Sequence, residues 1–224
     1  LTDATATPED QAEVALALMD ALGTDRFSVV CWSGGGPSSY RLTATRPDRV
    51  QALVPICAIS HGFELATSAE GPYLGRRLGQ WILGEMQRCS TDPVVAAALV
   101  EEGKVDLAGL TEVVEHVWPD DDTRDFVVTL ARIILRRSEG LGNDVTHLPM
   151  IEDLGLGSIE APVLLVHATL DADVVPEHAD FAAAAIPDVQ RHDIVGGTHV
   201  SPWTGPGADD AQARVIGFLR ERTG

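Results

Sequence analysis

The chain has no run of about 18 apolar residues, so no membrane-spanning helix is expected. Basic residues are scarce: 16 Lys and Arg stand against 34 Asp and Glu, for a formal charge of −18. Such a surface repels phosphate backbones, which excludes nucleic acid as an expected partner. Only three cysteines occur, Cys31, Cys57 and Cys89, and none forms a CxxC pair. Buried reduced thiols in a cytoplasmic protein are the expectation. The seven histidines are scattered and show no HExxH spacing, so neither a metal nor another cofactor is expected. Residues 1–25 lack a basic segment leading into an apolar one, so no signal peptide is expected within them. What is present is apolar material: 45% of 224 residues, enough for one sizeable core.

That material is arranged in alternating elements. Residues 8–22 have helical spacing, with Pro8 suited to the first turn, Glu9 and Asp10 to the N-terminal dipole, and Gly23 to the stop. Residues 26–32 (RFSVVCW) form a short β-branched run, residues 36–46 a helix, and residues 50–60 a second apolar run. Helix, strand, helix, strand implies a parallel sheet with crossovers. Residues 61–150 change character: 73–87, 92–103 and 122–137 carry helical apolar spacing and little strand signal, which predicts an all-helical insertion. The strand pattern returns at 161–168 and 189–197, with helices at 176–187 and 209–222. The expected fold class is therefore α/β, a doubly wound, mostly parallel sheet. Its core is drawn from 1–60 and 151–224, with the insertion at 61–150.

Between the first strand and its helix lies Cys31-Trp32-Ser33-Gly34-Gly35-Gly36-Pro37. A phosphate loop would need GxxxxGK[ST] or GxGxxG, and neither is present. A serine on a sharp strand-to-helix turn can instead lift its Oγ clear of the sheet edge. Such a turn wants small residues two before and two after, here Cys31 and Gly35. It also directs the Gly34 N–H and the positive helix end at charge developing near Ser33. A serine alone is a weak nucleophile and needs a base oriented by an acid. Asp171 follows the strand at 161–168, and His199 follows the strand and two glycines after it. In an open α/β sheet, groups beyond the strand C-termini converge at one edge. The order Ser33, Asp171, His199 is that of one particular fold.

These motifs resemble those of the α/β-hydrolase superfamily, in particular its cap-bearing actinobacterial-type members. The matching residues are Cys31 to Pro37, His167-Ala168-Thr169-Leu170-Asp171, and Gly196-Gly197-Thr198-His199. The resemblance implies a Ser33–His199–Asp171 triad, in which His199 relays the Ser33 proton and Asp171 holds the imidazole. It implies a serine hydrolase cleaving a small ester or related acyl substrate through an acyl-enzyme, with residues 61–150 as a cap. A non-catalytic ligand-binding member, or C–C hydrolase or perhydrolase chemistry on the same triad, stands as the alternative.

The sequence departs from the pattern at Cys31 and Ala168, both small replacements for glycine. Asp173 competes with Asp171 for the role of acid, because one extra residue separates Asp171 from Pro176. Asp171 is favoured by its distance from the strand end. Trp32, His61 and Trp203 are candidate substrate contacts, and His147 a candidate for the cleft. His167 is expected to pack at a strand end, and His178 and His192 to lie at the surface or in turns. In the superfamily, several strands and an HG-type turn with a second oxyanion donor precede the serine. No such strands or HG pair precede Ser33 here. The expectation is a further N-terminal segment of the same protein as partner, with a homo-oligomer as a further option.

Overall fold

The first helix, α1 (Pro8–Ala21), is fixed at its start by reciprocal hydrogen bonds. Thr7 Oγ1 accepts from the Asp10 N–H at 3.2 Å, and the Asp10 carboxylate accepts from the Thr7 N–H at 2.9 Å. Gly23, at φ +67°, turns the chain out of the helix toward the sheet. The structure is a computed structural model that describes residues 6–63, 111, 114–115, 121–133, 138–171, 173–205 and 207–223.

Four strands follow: β1 (Phe27–Trp32), β2 (Val50–Ile56), β3 (Val163–Ala168) and β4 (Val189–Ile194). They pair in parallel in the order β1-β2-β3-β4. The register aligns Trp32 with Ile56, and Ala168 with Ile194, so the strands end together. Helices α2 (Gly36–Thr45) and α5 (Glu177–Ala185) lie in the β1–β2 and β3–β4 crossovers, and α6 (Ala208–Thr223) follows β4. Between β2 and β3 lie α3 (Asp121–Ile133) and α4 (Ser138–His147), both within the segment expected to be a helical insertion. The helices expected at 73–87 and 92–103 lie outside the described residues, as does Cys89.

The sheet has helices on both faces, as the alternating apolar pattern requires. On one face, Leu53, Val163 and Leu165 pack with Leu16, Tyr40, Leu42, Ala182 and Ile186, drawn from α1, α2 and the α5 region. On the other, Val54, Ile56, Leu164 and Val166 pack with Ala211 and Phe218 of α6. The strand β3 is buried along its whole length, which explains its unbroken apolar run. No helix among the described residues is long and apolar enough to cross a membrane. Of the thiols, Cys57 is buried as expected and Cys31 is partly exposed.

The tight position at the serine turn is Gly36 rather than Gly35. A Cβ on Gly36 would lie 2.3 Å from the Ile59 carbonyl oxygen and 3.1 Å from the Ala58 side chain. A Cβ on Gly35 would meet Cys31 Cβ at an ordinary 3.6 Å. The expected small residue two after the serine is thus not required by contact. The third glycine is, because the chain leaving β2 crosses over it. Gly36→Ala is expected to destabilise the fold by about 3 kcal/mol or more through backbone overlap, and Gly35→Ala by less than about 1 kcal/mol. Urea unfolding of the two variants checks this contrast.

Candidate active site

Ser33 opens a single 3₁₀ turn, Ser33–Gly35, between β1 and α2. Its φ is +54°, in the left-handed region that a side chain rarely adopts. The turn is clamped from below: the Ser33 carbonyl accepts from the Ile59 N–H at 3.1 Å and from the Gly36 N–H. Strand β1 runs in one side, α2 runs out of the other, and the serine is left at the bend.

The loops after β3 and β4 are bonded to each other. The Thr169 N–H donates to the Ile194 carbonyl, the Leu170 N–H to the Gly197 carbonyl, and the Gly196 N–H to Thr169 Oγ1 at 2.8 Å. This ladder carries Asp171 against His199. Asp171 Oδ2 accepts from His199 Nδ1–H at 2.8 Å, and the carboxylate is completely buried. Its other oxygen, Oδ1, accepts from the N–H groups of Asp173 at 3.0 Å and Val174 at 2.9 Å. With Nδ1 protonated toward Asp171, neutral His199 presents its lone pair at Nε2.

Trp32, immediately before the serine, joins the two halves. Its ring stacks on the His199 imidazole at 5.2 Å, and its Nε1–H donates to the His199 carbonyl at 3.3 Å. Trp203 meets Trp32 edge-on at 5.8 Å and packs against the α6-side core. The Ser33 turn, His199 and Asp171 are therefore assembled at the C-terminal edge of the sheet, as the sequence order requires. Of the two candidate acids, Asp171 holds Nδ1, and Asp173 Oδ2 instead lies 3.5 Å from Nε2.

No protein-family model matches the chain, and no curated protein matches it. Solved structures do. An α/β-hydrolase fold protein from Nakamurella multipartita is 36% identical over 96% of this chain and 76% of its own, with a TM-score of 0.81. The chain belongs to the α/β-hydrolase fold family. An enol-lactonase from Burkholderia xenovorans LB400 shares the fold at 20% identity, a TM-score of 0.67, and coverage of 96% and 73%. So does a thermophilic esterase from Thermogutta terrifontis, at 19% identity, a TM-score of 0.65, and coverage of 97% and 73%.

Several neighbours of this α/β-hydrolase site were not legible from spacing. Asp144 of α4 reaches the serine turn: a Cβ on Gly34 would lie 3.7 Å from Asp144 Oδ2. Burial raises the Asp144 carboxyl above its ordinary value, with Asn143 and His147 opposing. His147, the candidate for the cleft, lies on the same helix. Cys57, at φ +43° just beyond β2, lies with His167 and Asp171 in a buried group whose donor atoms fall within 4.8 Å of one another. That set does not suit a cation. Burial and the Asp171 charge hold the thiol protonated, and both Asp171 oxygens are already taken. His167 Nε2–H donates to the Val174 carbonyl at 2.8 Å, and burial keeps the ring neutral, so it packs at its strand end as expected.

His178 corrects the sequence reading. It was expected at the surface, yet it is only 3% exposed, on the face of α5 that also buries Ala179 and Ala182. Its Nδ1 accepts from the Ser60 N–H at 3.1 Å. His61 stacks on it at 4.0 Å and meets Phe181 edge-on, so His61 is engaged in this ring cluster. His192 lies in β4 with its side chain partly exposed.

Burial first, and then His61, lowers the His178 pKa from 6.5 to about 4. A histidine depressed in the folded state binds its proton more readily when unfolded. Stability is therefore expected to fall as pH drops from about 6.5 toward 4. His178→Asn, which keeps an acceptor for Ser60, should flatten that slope by up to about 1.4 kcal/mol per pH unit. Denaturant unfolding at stepped pH measures it.

Proposed function

We propose that the protein is a serine hydrolase that cleaves a small ester or related acyl substrate through an acyl-enzyme on Ser33. One observation carries the reading: a fully buried Asp171 carboxylate, with its spare oxygen saturated by two backbone N–H groups, holds His199 at 2.8 Å beside a strained serine turn. A structural ion pair does not need the serine at φ +54°. A nucleophile turn does, because that conformation lifts Oγ out of the sheet edge.

In this mechanism His199 Nε2 takes the Ser33 proton as Oγ attacks the acyl carbon. Asp171 stays ionised, fixes the tautomer and stabilises the imidazolium. The Gly34 N–H and the start of α2 face the oxyanion. The proton then passes to the leaving oxygen. A water, deprotonated at the same nitrogen, clears the acyl group and restores Ser33. The names of the enol-lactonase and esterase neighbours agree with an ester-type bond.

The 61–150 segment serves as the cap in this reading. Its support is Asp144 at the serine turn, the Phe63 N–H donating to the Leu148 carbonyl at 3.0 Å, and Leu148 packed with Ile59 and Val174. Trp32 walls the pocket on the histidine side. In this reading the outer edge of β1 is open to further strands, and a second oxyanion N–H would come from outside the described residues. Val30 is exposed there, and a groove of about 240 Å³ runs between β1 and the helices, lined by Leu18, Met19, Phe27 and Leu42 among others.

A fluorophosphonate probe is expected to label the wild-type protein and to leave Ser33→Ala unlabelled. Absence of wild-type labelling, read by intact mass, defeats the proposal. On p-nitrophenyl esters, Asp171→Asn is expected to lower kcat by about 10⁴-fold, since the wrong tautomer leaves Nε2 protonated.

A further inference from the structure

Asp173 has a place that the triad does not assign. Its Oδ2 lies 3.5 Å from His199 Nε2, the nitrogen that faces the nucleophile in the mechanism above. Its N–H donates to Asp171 Oδ1, so both carboxylates are mounted on one turn, one toward each nitrogen of the same ring. The side chains of His199 and Asp173 are 8% and 14% exposed, so water screens the pair weakly.

At 3.5 Å the carboxylate acts through charge and does not capture Nε2 in a short hydrogen bond. Neutral His199 turns a lone pair toward that oxygen, which is repulsive. Protonated His199 turns an N–H toward it, which is attractive. We propose that Asp173 is a positioning residue that stabilises His199 as the imidazolium from its reactive side and so sets the pH at which the site switches on. The inference rests on the reading of His199 as the general base. The proton is the one Ser33 gives up, and it leaves with the departing group, so Asp173 neither gains nor loses one.

The remaining groups around the ring do not duplicate this role. Strand β3 contributes His167, which is neutral, with Nε2 3.8 Å from Asp171 Oδ2. The end of β2 contributes the protonated Cys57 thiol, and β1 the uncharged Trp32. From α4, Asp144 approaches the serine turn, and His147 lies close enough to act on the Asp144 carboxyl. Among the described residues, Asp173 brings a carboxylate within ion-pair distance of Nε2.

The test follows the His199 imidazole by NMR through a pH titration of the full chain. It compares wild type, Asp173→Asn and Asp173→Glu. Asparagine keeps the backbone donor to Asp171 and removes only the charge. The His199 midpoint is expected to drop by about one pH unit in Asp173→Asn and to recover in Asp173→Glu. The acidic limb of kcat/KM should move down with it, so that Asp173→Asn is the faster enzyme on the acid side. A purely structural Asp173 would lower activity at every pH and leave the midpoint in place. An unshifted midpoint in a folded Asp173→Asn overturns the proposal. Asp173→Ser provides the same comparison should the asparagine variant fold poorly. The NMR midpoint is read without turnover, so a protein that fails to label with fluorophosphonate would defeat the hydrolase reading and leave this result to stand or fall separately.

Discussion

The close approach of Gly36 to the Ile59 backbone governs the geometry of the sheet's C-terminal edge. No side chain fits there, so α2 can start directly over the chain leaving β2. The Ile59 N–H then reaches the Ser33 carbonyl, and the serine is caught between strand and helix with φ at +54°. Relaxing that φ would require α2 to lift off the sheet and expose Tyr40 and Leu42. Apolar packing of a few side chains holds the strain in place.

The second half of the site is built by different means. Asp171 and His199 lie on loops, where packing alone positions side chains poorly. Here the loops are cross-bonded through Thr169, Leu170, Gly196 and Gly197, and Asp171 is saturated by its own turn. A buried carboxylate tolerates desolvation only when its oxygens are occupied. Those same bonds fix the direction in which the remaining lone pairs point. Trp32 then locks one half against the other by stacking on the imidazole and bonding its backbone. The nearby charges, Asp173 and Asp144, come from the same turn and from the helical segment between β2 and β3. Both converge on a few ångströms around one serine and one histidine.

The strands and their adjoining helices were legible because their signals are local. Short apolar runs marked β1 and β3, and Pro8, Glu9, Asp10 and Gly23 marked the bounds of α1. Ser33, Asp171 and His199 were legible because each follows a strand, and parallel strands deliver their ends to one edge. His178 was not, because a histidine among alanines on a short helix carries no sign of which face is buried. Cys57 likewise gave no hint of its place beside Asp171, which depends on strand register.

Sequence by itself determined the α/β class, the parallel order of alternating elements, and that Ser33, Asp171 and His199 each follow a strand. Periodicity and motif order suffice for that, since each is written within one element or in the succession of elements. Only the tertiary structure put Asp171 against Nδ1 of His199 and Asp173 near Nε2. It also decided that the third glycine, not the second, is the indispensable one. Both outcomes depend on distances between segments far apart in the chain, which no local pattern encodes.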